Sequence, residues 1–314
     1  MKAIAYQQFG STDVLQTVEV AKPTLRSNQV LVKVKAVSIN PLDWKIRKGE
    51  MKLMSGSRFP RSTGADFSGI IADTGTAVTD LKTGDEVFGV VKNMMKEGAL
   101  AEYIVVDASL AWKKPAYVSF AQAAAIPVAG TAAVTALQKM GTINANTSIL
   151  INGATGGFGM FLLQLLKQRG ASGTAVTNTK AAAFAKTWGA DIVIDYTKEN
   201  VLSQHITYDI VIDLSGKMGY ANARQIMKPK ALFLNPTPSP IEIPTSIIRN
   251  LFTGKKHIVI IASPAADKVN VVLNAIADGL QVEVSKVFSF AQSKEAYQYA
   301  EQGGYIGKVA VELD

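Results

Sequence analysis

The chain has 314 residues, 48% hydrophobic and 18% charged, the composition of a globular protein with enough length for two cores. It contains no cysteine and only two histidines, His205 and His257, which excludes disulfides and every thiolate metal site. The formal charge of +8 is unevenly spread, because no Asp or Glu occurs between Ala108 and Ala190 while bases recur from Lys113 to Lys186.

A field of that sign suits a polyanion such as nucleotide phosphate, RNA or a membrane surface, or is simply a solvated basic face. No apolar run reaches the roughly eighteen residues of a membrane span, and Met1-Lys2 is not followed by a long apolar leader. A cytoplasmic location is therefore expected. No loop has the acidic clustering that calcium or magnesium requires, so no metal is expected.

In chain order, "KAIAYQQF" and "QVLVKVKAVSI" read as strands, "TGDEVFGVV" as a turn and strand, and "EGALAEYIVVD" continues the pattern. Residues 1–118 thus form an antiparallel β region. At Ser119 the character changes: "SFAQAAAIPVAGTAAVTALQKMG" reads as one alanine-rich helix with Ser119 as N-cap and Gly141 as its stop. Strands and helices then alternate. "TSILIN", "GTAVTNT", "DIVIDY", "YDIVIDLSG", "KALFLNP" and "KHIVIIA" are six strands separated by crossovers, a doubly wound parallel sheet within residues 119–262. The four prolines of 235–244 predict a rigid extended loop after the fifth strand. In the tail, 263–314, "VEVSKVFSF" and "GKVAVEL" are strands around an amphipathic helix, and this segment is expected to return and complete the first domain.

The turn "INGATGGFG" carries Gly153, Gly156 and Gly159, with Gly157 between. It follows a buried strand and opens an apolar helix, the setting in which glycines let backbone N–H groups approach a dinucleotide pyrophosphate. Gly153, Thr155, Gly156, Gly157 and Phe158 are therefore candidate cofactor contacts. An NAD site usually places a carboxylate at the end of the second strand. Here that place reads Thr177-Asn178-Thr179-Lys180, so hydroxyls, an amide and a cation favour a 2′-phosphate and hence NADPH.

Across nearly its whole length the chain resembles the zinc-independent quinone oxidoreductase and enone reductase branch of the medium-chain dehydrogenase/reductase superfamily. The matching pieces, in family order, are "SINPLDWKIRKG", "TGADFSG", "TGDEVFG", "AAAIPVAGTAA", "NGATGGFG", "WGADIVIDY" and "GKVAVEL". The resemblance implies a GroES-like antiparallel β catalytic domain beside the Rossmann domain, and hydride transfer from NADPH to a quinone or to an enone C=C bond. Zinc-dependent relatives place a cysteine near Asn40 and a histidine near Ala65, and both are absent here. It further implies that Asn40 lies beside the nicotinamide, that Tyr196 packs at the 2′-phosphate beside Lys180, that Lys308 stands near the cleft, and that Asn235 begins a loop bordering the carboxamide. Ser215, after the fourth strand, joins the cofactor set.

Two positions depart from the family pattern. Lys45 stands where many quinone reductases have tyrosine, in a context resembling the plant chloroplast-envelope and fruit enone reductases. It reads either as a donor that stabilises a developing enolate or as a solvated lysine. Thr131 is displaced by one position within "GTAA", which puts its reach to the nicotinamide in question. A homodimer paired through "KHIVIIA" is expected by resemblance. A rival reading, a non-catalytic cofactor-binding relative that binds RNA, draws on the basic span, but no basic stretch interleaved with aromatics supports it.

Overall fold

The computed structural model describes residues 1–314. Six strands form a parallel sheet in the order Ala190–Asp195, Gly173–Thr177, Ile149–Asn152, Tyr208–Asp213, Met227–Asn235 and Lys256–Val259. Every neighbouring pair is parallel, and helices cross between the strands. Burial on both faces is why these strands read as unbroken apolar runs. Strand order reverses between Ile149–Asn152 and Tyr208–Asp213, which opens a crevice beyond their carboxyl ends.

The other large sheet runs Val284–Ser289, Lys308–Glu312, Gln29–Ser38, Asp66–Thr74, Glu86–Val90 and Ala111–Lys113, with Tyr103–Asp107 also on Gln29–Ser38. The C-terminal strand Lys308–Glu312 pairs antiparallel with Gln29–Ser38, so the end of the chain closes this sheet. The same strand reaches across to the parallel domain: Gly307 donates its N–H to the Thr155 carbonyl at 2.8 Å.

Four sequence expectations need correction. The helix foreseen over 119–141 is two, Phe120–Ala124 and Pro127–Met140. Pro127 has no N–H to continue the first helix but fits the opening turn of the second. The proline-rich loop is shorter than expected, because Glu242–Leu251 is helical and admits Pro244 in its first turn. The strand in "KHIVIIA" covers only Lys256–Val259. Finally, the return to the first domain does not begin at residue 263. Helix Ala266–Ala277 packs on Pro127–Met140, and Val269, Val272 and Ile276 share one apolar core with the parallel sheet. The antiparallel sheet resumes at Val284.

Candidate functional site

A cavity of about 330 Å³ lies between the two sheets, at the point where strand order reverses. The glycine turn forms one end of it. Gly153 has φ +81°, a left-handed backbone that side chains disfavour. A Cβ on Gly159 would lie 2.2 Å from the Ala154 carbonyl oxygen, so glycine is required there by the fold. Gly156 differs: a Cβ there would meet only the Gly153 oxygen, at 3.6 Å, and would otherwise project into open space. Helix Gly157–Gln168 starts here, and its first amides have no partner within the helix. A turn kept bare where no protein atom demands it fits a dinucleotide pyrophosphate.

At the other end stand Asn40 and Lys308, both buried. Asn40 precedes helix Pro41–Lys48, and its backbone N–H is covered by the Asp43 carboxylate at 2.7 Å. Its side chain reaches in two directions. Nδ2 donates to Asp66 Oδ2 at 3.0 Å, while Oδ1 accepts from Lys308 Nζ at 2.7 Å. Lys308 Nζ also donates to the Ile39 carbonyl at 2.7 Å. Asp66 takes the Val128 N–H at the start of helix Pro127–Met140, where the helix dipole favours an anion. Burial raises the carboxyls, Asp43 to about 7 with the Asp66 charge adding to the rise and Asp66 to about 6, and lowers Lys308, while attraction between Lys308 and the two carboxylates opposes all three shifts. An ammonium joined to an amide, beside Ala65, is not a donor set for zinc.

Of the residues singled out from sequence, Asn40, Lys45, Gly153, Gly156, Gly157, Phe158 and Lys308 line this cavity. Others turn elsewhere. Thr131 is buried and donates its hydroxyl to the Pro127 carbonyl of its own helix at 2.5 Å; Val128, Ala129 and Ala132 face the cavity in its place. Thr155 and Thr177 bond each other behind the turn at 2.5 Å. Asn178 caps the turn that follows it and holds the Gly304 carbonyl at 3.1 Å. Ser215 donates to Asp213 at 2.7 Å, and Asn235 accepts the Thr237 N–H at 3.0 Å.

Lys180 and Tyr196 are both exposed beyond the ends of neighbouring strands. Between those ends the structure adds a carboxylate that the local sequence did not announce. Asp195 accepts the Thr179 and Thr197 hydroxyls, which hold its carboxyl down at about 2. The place read as acid-free in one dimension thus has an anion beside it in three. The basic span is also less bare than its composition suggests: Lys113 and Lys114 pair with Asp85 and Glu86, where the neighbouring strand Glu86–Val90 begins.

The mouth of the cavity is apolar. Met51, Met54, Met94 and Met95 come from two separate segments of the antiparallel domain, and Pro236, Pro238 and Pro240 face them from the parallel domain. Lys45 is the half-buried cation of this wall, and its ammonium makes no hydrogen bond within the protein. Sequence reading missed the methionines, Asp66 and Thr237. No period marks residues gathered from distant loops, and Asp66 sits in "TGADFSG" like any strand-opening acid. The Thr237 hydroxyl is buried at the cavity without a hydrogen-bond partner, as expected of a group that meets a ligand.

Two family descriptions match the chain: an alcohol dehydrogenase GroES-like domain over residues 26–116 and a zinc-binding dehydrogenase over 188–311. The chain is 30% identical to the chloroplast envelope quinone oxidoreductase homolog of Arabidopsis thaliana, covering 99% of this chain and 98% of that one. It is 33% identical to the NADPH-dependent alkenal/one oxidoreductase of the same plant, covering 99% of this chain and 79% of that one. Among solved structures, the quinone oxidoreductase of Coxiella burnetii superposes with a TM-score of 0.88 at 28% identity, covering 100% of this chain and 99% of that one. No helix is long and apolar enough to cross a membrane.

Proposed function

This chain belongs to the medium-chain dehydrogenase/reductase superfamily, and from that premise we propose a zinc-independent oxidoreductase that uses NADPH. Its acceptor is a quinone or the C=C bond of an α,β-unsaturated carbonyl. One observation carries the reading: a single cavity runs from the bare glycine turn to the buried Asn40–Lys308 pair.

When bound, NADPH supplies a hydride and with it both electrons of the reduction. The residues of this chain do the rest. The turn from Gly153 to Gly159 and the start of its helix hold the pyrophosphate, and Lys180 with Tyr196 would meet the 2′-phosphate. Thr237 and the loop opened by Asn235 would border the nicotinamide. The methionine and proline walls give the reacting carbons an apolar surround. As negative charge grows on the acceptor oxygen, a fixed donor at the cavity stabilises it, and solvent returns a proton to the α-carbon.

The test is NADPH consumption, followed by absorbance without added zinc, with a small enone, a long alkenal and an ortho-quinone, each repeated with NADH. Turnover with NADPH in preference to NADH is expected. Replacing Lys180 by alanine should weaken NADPH binding about fivefold, the scale of one exposed charge pair, and leave NADH binding unchanged. Equal use of both cofactors by the native chain would remove the 2′-phosphate assignment. No consumption with any acceptor would remove the reductase reading.

We place this activity in a cytoplasmic homodimer. Strand Lys256–Val259 ends the parallel sheet with one edge unpaired, and Ile247, Ile248, Leu251 and Phe252 stand exposed on the helix and turn just before it. Sedimentation at twice the chain mass of 33.5 kDa is expected, and a monomer across the micromolar range would refute the pairing.

A further inference from the structure

The two hydrogen bonds of Asn40 settle which way its amide points. Lys308 is an ammonium and can only donate, so the atom facing it is the amide oxygen. Asp66 as a carboxylate can only accept, so the atom facing it is the amide nitrogen. An Asn between two hydroxyls could flip, but an Asn between a cation and an anion cannot. Nδ2 carries two hydrogens and spends one on Asp66. The other has no acceptor within the protein, and Asn40 lines the cavity.

We propose that this remaining Nδ2–H of Asn40 is the donor to the acceptor's carbonyl oxygen, and that Lys308 and Asp66 are positioning residues that fix and polarise the amide. The inference rests on the reductase reading and assigns the stabilising group within it. Lys308 draws electron density toward Oδ1 and makes the N–H more acidic. Asp66 holds the plane of the amide, and is itself held by the Val128 N–H. A donor locked from both sides needs no reorganisation when charge develops, which is the condition under which such groups lower a barrier. Lys45 is the rival donor. It is a free ammonium on a flexible stem, with nothing in the protein to aim it.

The measurement is the infrared carbonyl stretch of 3-octanone bound to the NADP⁺-saturated protein, read beside kcat and KM for 1-octen-3-one. In the native chain and in Lys45→Met the stretch is expected to fall below its value in hexane. In Asn40→Ala it should return toward hexane, with kcat down about a hundredfold and KM within a few-fold, as for loss of one oxyanion donor. Asp66→Ala should lower kcat roughly tenfold, a smaller loss than removing the donor itself. Asp66→Asn keeps an acceptor for Nδ2 and should recover most of that loss, which a merely structural Asp66 would not predict.

Loss of the shift in Lys45→Met overturns the proposal whether or not the Asn40 variant folds. So does turnover of octenone by a native chain in which bound octanone shows no shift. An Asn40-dependent shift in a protein that oxidises no NADPH supports the donor and sinks the reductase reading instead.

Discussion

Alanine at Gly156 is expected to abolish most NADPH binding while leaving the protein as stable as before, or slightly more so. The backbone there is extended at φ −75° and ψ 175°, open to any residue, and the added methyl meets no protein atom closer than 3.6 Å. Restricting the unfolded chain should raise stability by about 0.4–1 kcal/mol. The same methyl fills space that the pyrophosphate needs. A clash of one methyl in a close-packed site costs about 1–3 kcal/mol, or about five- to more than a hundredfold in affinity. Gly159→Ala is the counterpart. Its methyl would fall 2.2 Å from the Ala154 oxygen and 2.8 Å from the Ala154 Cα, backbone atoms that cannot turn aside. That variant should lose stability first and cofactor binding only as a consequence. Thermal melting and NADPH fluorescence titration on the pair separate a glycine kept for a ligand from one kept for the fold. Equal loss of melting temperature in both would refute the division.

Stability should fall as pH rises from about 4 to about 7, the reverse of an ordinary paired carboxylate. Asp43 and Asp66 have folded-state pKa values raised by burial to about 7 and about 6, above the 3.8 of the unfolded chain. Between those limits the folded state holds protons that the unfolded state has lost, so each unit of rising pH favours unfolding. A shift of roughly three units, as at Asp43, corresponds to at most about 4 kcal/mol across the window. Asp195 and Asp209 are depressed to about 2, and their contribution is lost only as pH falls below the unfolded value, outside this range. Urea midpoints at pH 4.5, 5.5, 6.5 and 7.5 (taken as roughly evenly spaced points across the window) should decline in order, and Asp43→Asn should flatten the decline. A native chain equally stable at all four would show that both carboxylates titrate as if solvated.

The parallel domain was legible in the sequence for a physical reason. Strands such as "ILIN" and "YDIVID" are covered on both faces, so their burial is written as uninterrupted apolar runs, and glycine spacing marks the turn that lines the cavity. The site was legible only where chemistry is local. Asn40 and the glycines could be read from their own motifs. Asp66 could not, because its role depends on meeting Asn40 twenty-six positions away in the chain and Val128 sixty-two away. Thr131, whose reach the sequence left in question, lies off the cavity because a buried helical hydroxyl finds its nearest acceptor four residues back. Residues 266–277 were counted with the returning tail because nothing in their sequence states which sheet buries the helix they form.

The ammonium of Lys308 has a consequence for how this site can be lost. In a metalloenzyme the cation beside the substrate is a separate chemical species, held by an equilibrium and removed by dilution, acid or a chelator. Here the positive charge is tethered to the backbone and arrives with translation, one per chain at every concentration. With respect to that charge the protein has no apo form. No chelator or dilution removes it; only loss of the Lys308 proton, which burial makes easier, would discharge it.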